Sequence, residues 1–152
     1  MRYTRKVSVW PVGLVQPLSV STPIVKNSKV VGFHDGRSQA KKFAMRWTGF
    51  AVNIEFLLQH SKTVTSMVRN FDEDYFLQTL NIDLDDLEVK ANNCTQVLAW
   101  NTKTVQRKFP KVEHMYKYHL YHPDLNLRLL YQNTLGINVS DWMPTKTTNI
   151  TL

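Results

Sequence analysis

The sequence predicts a mainly α protein: a small helical domain of three to five helices across residues 35–136, with extended basic arms at 1–34 and 137–152. Three observations carry that expectation. Ala40, Phe43, Ala44, Trp47, Phe50, Ala51, Ile54, Leu57 and Leu58 recur at spacings of three and four, the period of one helix face. Acidic residues precede apolar spacings near Asp72 and Asp83, as they do at helix starts. Pro11, Pro17 and Pro23 deny the N-terminal stretch a helix.

Between those prolines lie Val7, Val9, Val12, Leu14, Val15, Leu18, Val20, Ile24 and Val25, all apolar and mostly β-favouring. Such a strip needs a surface to lie on. A partner-binding set is therefore expected from Arg2, Tyr3, Arg5, Lys6, Trp10, Leu14 and Leu18, joined by Trp142 of the C-terminal arm. Removal of residues 1–25 is expected to leave the 35–136 domain folded. Lys26-Asn27-Ser28-Lys29 reads as a turn, giving a short β-hairpin across 23–33. Asp35 is placed to cap the helix at 40–58, whose Trp47 is expected in the core.

A second helix is expected to start at Asp72 and end near Leu80-Asn81. Asp83 can cap a third, with Leu84, Leu87, Ala91, Cys94 and Leu98 at helical spacings. Asn92-Asn93 leaves a hairpin open there, pairing 87–89 with 96–98. Residues 103–111 form a basic connector, and 114–123 fit either period and lean towards helix. Leu125, Leu127, Leu129, Leu130 and Tyr131 make a last helix, capped by Asp124 and stopped by Gly136.

At 152 residues the chain can bury one core of ordinary size. Its single cysteine, Cys94, rules out an internal disulfide and suits a reducing compartment. The longest apolar run, 49–58, is interrupted by Asn53 and Glu55 and is too short to span a bilayer. Charge is uneven: residues 1–46 hold nine Lys/Arg and one Asp, 47–100 three Lys/Arg and eight Asp/Glu, and 101–152 seven Lys/Arg and three Asp/Glu. Basic ends of this kind suit an anionic or acidic partner.

No catalytic, cofactor or metal signature is legible. The acidic groups lack the central glycine of a calcium loop, and the five glycines never cluster as a phosphate-cradling turn requires. His114, His119 and His122 are five and three apart, not the i, i+4 pair of a metal site on a helix. The expected function is that of a non-enzymatic accessory subunit of a multi-subunit assembly, a mitochondrial respiratory-chain or ATP synthase complex, peripheral to the membrane at most. Its partners would be neighbouring subunits gripped by the arms. Aromatic residues interleaved with basic ones, as in Lys42-Phe43-Arg46-Trp47, support an alternative: an RNA-contacting component of a ribonucleoprotein such as a mitochondrial ribosome.

Overall fold

Residues 3–15, 18–36, 41–60, 73–101 and 124–136 are described by a computed structural model. The N-terminal strip, expected to lie on a neighbour, is the centre of this chain's own two sheets. Strands β1 (Val7–Val9) and β2 (Val12–Val15) follow one another through Trp10-Pro11. Alternating valines suit a pleated surface, and Pro11 falls between the two ladders, where no amide donor is needed. Sheet one has the order β5-β1-β6, with β5 (Phe50–Val52) antiparallel to β1 and β6 (Leu87–Val89) parallel to it. Sheet two has the order β4-β3-β2-β7, built from β3 (Ser19–Lys26), β4 (Lys29–His34) and β7 (Ala99–Trp100) around β2.

The β3–β4 hairpin turns where expected but is longer, with Lys26 opposite Lys29. Asn27 and Ser28 both take positive φ, 50° and 60°, the twist that matches the flanking strands. Pro23 sits opposite Phe33 in the same ladder. Its carbonyl, and therefore its missing N–H, faces away from β4 towards Asn126, whose Nδ2 donates to the Pro23 oxygen at 3.0 Å.

A mainly α fold is thus overturned by two mixed sheets, of three and four strands. The largest departure is at 40–58. Residues 43–45 are buried without being helical, 47–49 make a 3-10 turn and 50–52 are strand. Only α1 (Ile54–Gln59) is helix, and Asn53 caps it by accepting from the Phe56 amide at 3.0 Å. Trp47, expected in the core, is 47% exposed. Several short elements buried from different sides produce the same run of apolar residues as a single helix.

Helix α2 (Glu73–Thr79) lies where a second helix was expected. The third does not form. Leu84–Asp86 is a 3-10 turn, β6 follows and pairs with β1 rather than with 96–98, and Ala91–Cys94 (α3) is a single turn with φ between 52° and 58° throughout. That left-handed turn is costly for Ala91 and Cys94, less so for the two asparagines. The last helix, α4 (Leu127–Leu135), ends at Gly136 with φ 67°, as expected, but its N-cap is Asn126 rather than Asp124.

The first core cluster gathers Val7, Val9, Val30, Phe43, Met45, Phe76, Leu77, Leu80, Ile82 and Leu87 between sheet one and α2. Helix α4 covers sheet two with Leu127, Leu130 and Tyr131, all fully buried. Asn126 fastens it: Oδ1 accepts from the Val25 amide at 2.7 Å, and Nδ2 donates to the carbonyls of Pro23 and Cys94. Cys94 is buried, as expected, on the left-handed turn rather than a helix face. Burial pushes its thiol up to about 12, which leaves it inert.

Candidate functional site

Three segments converge on a small recess of about 90 Å³, lined by Asp35, Lys41, Ala44, Met45, Arg46 and Glu73. Asp35 follows β4, Arg46 precedes the 3-10 turn, and Glu73 opens α2. Asp35 and Arg46 are both largely buried and joined, Arg46 Nε donating to Asp35 Oδ2 at 3.0 Å. Each offsets the desolvation of the other. Glu73 is half-buried, and its carboxylate has no hydrogen bond or ion pair among the described residues.

Asp74, next to Glu73, holds the recess together. Its Oδ1 accepts from the Phe43 amide at 2.8 Å and its Oδ2 from Gln78 Nε2 at 2.9 Å. One buried carboxylate therefore ties the 43–46 segment to α2 and sets Glu73 opposite Arg46. Lys42 also reaches across, to the Ile82 carbonyl and to Asp83.

The residues expected to bind a partner are not brought together. Tyr3 is exposed, and its carbonyl accepts from Lys90. The backbone amides of Arg5 and Lys6 both donate to Glu88 Oε1, at 2.7 and 2.9 Å. Although burial opposes it, those amides and the Lys90 ammonium hold Glu88 below its usual range. Lys6 Nζ pairs with Asp86. Trp10 is buried with its Nε1 donating to the Thr48 carbonyl, and Leu18 is buried with its carbonyl accepting from Tyr131. Leu14 sits at a bulge in β2 with φ 59°. Arg2 and Trp142 lie outside the described residues, as do His114, His119 and His122 and the 103–123 stretch.

Part of the basic excess of the N-terminal third is answered within the chain: Lys6, Lys29 and Lys42 pair with Asp86, Asp85 and Asp83 of the acidic middle. Among the described residues no group of three His, Cys, Asp or Glu side chains could hold a metal, and no helix is long and apolar enough to cross a membrane. Glu73 and Asp35 read from sequence as helix-capping acids. Their meeting with Arg46 has no local signature.

Comparison with known proteins assigns the class. Residues 1–105 match glycosyltransferase family 43, and the chain belongs to that family. It is 46% identical over 107 residues to galactosylgalactosylxylosylprotein 3-beta-glucuronosyltransferase 2 of Rattus norvegicus, covering 68% of this chain and 33% of that protein. It is 35% identical over 118 residues to glucuronosyltransferase S of Drosophila melanogaster, covering 78% and 29%, and 40% identical over 117 residues to human glucuronosyltransferase 3, covering 76% and 35%. The chain spans about a third of the length of these relatives.

Family membership overturns the expectation of a non-enzymatic accessory subunit, because the family and its named members are enzymes acting on a protein-linked glycan. The partners expected with that role, neighbouring subunits of a respiratory or ATP synthase complex or the RNA of a ribonucleoprotein, are overturned by the same match. So is the mitochondrial location. Residues 1–34, which carry no Asp or Glu, supply β1–β4 of this fold, and the lone Cys94 is a buried core residue.

Proposed function

We propose that this chain takes part in glucuronosyl transfer to a protein-linked glycan, with Glu73 as the general base for the acceptor hydroxyl. The observation that carries the proposal is the Glu73 carboxylate, unpartnered among the described residues, in a recess whose other carboxylate, Asp35, is already held by Arg46. The recess of about 90 Å³ admits the hydroxyl-bearing edge of a sugar rather than a whole ligand, for which sites run to roughly 300 Å³ or more.

Glu73 takes the proton of the acceptor hydroxyl as that oxygen attacks the anomeric carbon of an activated glucuronyl donor. The bond from that carbon to its leaving group breaks, and the leaving group departs with the electron pair. Arg46 and Lys41 line the same recess and can donate hydrogen bonds to the acceptor's other oxygens. With Glu73 the single available carboxylate of the recess among the described residues, attack is direct and inverts the anomeric centre. Retention would need a second one as nucleophile.

The test is transfer by the full chain to a galactosylgalactosylxylosyl peptide from an activated glucuronyl donor. Glu73→Gln should lower the rate by roughly 10²- to 10⁴-fold with melting and acceptor affinity unchanged. A Glu73→Gln enzyme at the wild-type rate removes Glu73 as the base. A wild-type chain that neither transfers nor binds the acceptor removes the glucuronosyl proposal itself.

A further inference from the structure

A second cleft, of about 420 Å³, opens between β7 and α4 and is lined by Gln96, Val97, Trp100, Asn133 and Thr134. Its volume lies within the roughly 300–1,000 Å³ of small-ligand sites. The Trp100 ring is its floor. A Cβ built on Gly13 would lie 2.4 and 2.5 Å from Trp100 Cε3 and Cζ3, so the ring rests directly on the β2 backbone and only glycine permits it there. Trp100 is nonetheless 51% exposed. Part of the ring is covered by β2, and the rest of the side chain lines the cleft.

Among the described residues the rim is uncharged. Asn133 Nδ2 donates to the Thr95 carbonyl at 3.0 Å, which fixes the amide plane. Its carbonyl oxygen and the Gln96 amide have no partner among the described residues. A flat, half-open aromatic face with amides and a hydroxyl around it, and no cation or carboxylate, suits one chemistry well. A pyranose ring lays its C–H face on the aromatic ring and turns its equatorial hydroxyls to the rim. A phosphate or a uronate would find no countercharge among the described residues there.

We propose that this cleft is a neutral-sugar subsite, separate from the Glu73 recess, that holds a hexose or pentose unit of the acceptor glycan on Trp100. The proposal rests on the glycan-directed function above. One feature supports it: the β7 strand contacts the Trp47–Gly49 turn, which directly follows Arg46 of the recess, so the two sites stand on neighbouring elements.

Titrating the full chain with methyl β-galactoside and with a galactosyl-galactose disaccharide, while following the tryptophan indole ¹H–¹⁵N resonances, tests this directly. The Trp100 resonance should shift saturably with millimolar affinity, and glucuronate should bind at least about tenfold more weakly. Trp100→Ala should lower neutral-sugar affinity at least about tenfold, while Trp100→Phe, which keeps a ring on Gly13, should stay within about threefold of wild type. Glu73→Gln should leave the Trp100 response intact, so loss of transfer and loss of this subsite are separable. A Trp100 resonance unmoved by either sugar in folded protein overturns the proposal. So does equal binding of glucuronate, a response lost in Glu73→Gln, or a shift that follows protein concentration alone and so reports a second copy in the cleft.

Discussion

His34 shows how one buried side chain couples the two halves of the chain and sets a pH limit on the fold. Its Nε2 lies 2.9 Å from the Tyr131 hydroxyl, which itself donates to the Leu18 carbonyl at 2.6 Å. Because the hydroxyl proton is engaged on a carbonyl, Nε2 must be the donor. Burial pushes the His34 pKa down from 6.5 to about 4, with the nearby Asp35 charge pulling it partly back. Between those two values the unfolded chain binds a proton that the folded chain does not. Stability is therefore full above about pH 6.5 and falls as pH drops to about 4, by up to roughly 3 kcal/mol at 1.36 kcal/mol per pKa unit. Urea unfolding at intervals across that window checks this. His34→Gln should flatten the upper part of the slope, above the range in which Asp86 and Glu88 titrate, and an unchanged slope would show that His34 is not the group responsible.

At the scale of elements, the join between the 43–46 segment and α2 decides whether the Glu73 recess exists. Asp74→Ala would strand the buried Phe43 amide, costing roughly 1–3 kcal/mol, and would free the segment carrying Arg46 from the helix carrying Glu73. Asp74→Asn keeps an acceptor for that amide and should recover most of the loss. The expected pattern is transfer activity falling with Asp74→Ala and returning with Asp74→Asn, with melting temperatures in the same order. Full activity in Asp74→Ala would show that the recess does not depend on this bond. The same elements show what was legible beforehand. The Asn27-Ser28 turn, the extent of α2 and the stop at Gly136 rest on chemistry within a few residues, and the structure has them. The 40–58 stretch departs from a single helix because an apolar list at spacings of three and four also arises when a buried loop, a 3-10 turn and a strand follow one another. Parallel pairing of β1 with β6 and of β2 with β7 joins residues some eighty positions apart and leaves no local trace.

For the whole molecule, the decisive question is how much of the fold the family-matched residues 1–105 can hold without the helix that follows. Sheet two buries Val20 and Val25, and α4 covers it with Leu127, Leu130 and Tyr131, each fully buried. At roughly 1.5–3 kcal/mol for a large buried apolar side chain, these three contribute several kcal/mol, comparable to the net stability of a small domain. Asn126 adds bonds to the Val25 amide and to the Pro23 and Cys94 carbonyls, groups that would otherwise be buried without partners or opened to water. His34 would lose the Tyr131 hydroxyl as well. A chain ending at residue 105 should therefore fail to give a cooperative melt at neutral pH, although it keeps residues 1–105 that match the family model. Asn126→Ala in the full chain separates packing from hydrogen bonding. It removes the amide but leaves α4 in place, and should cost roughly 1–3 kcal/mol while leaving the protein folded. A 1–105 chain with the melting temperature of the full chain would show that α4 merely rests on a domain already complete, and the cleft it walls beside Trp100 would then be an ornament of the fold rather than part of its core.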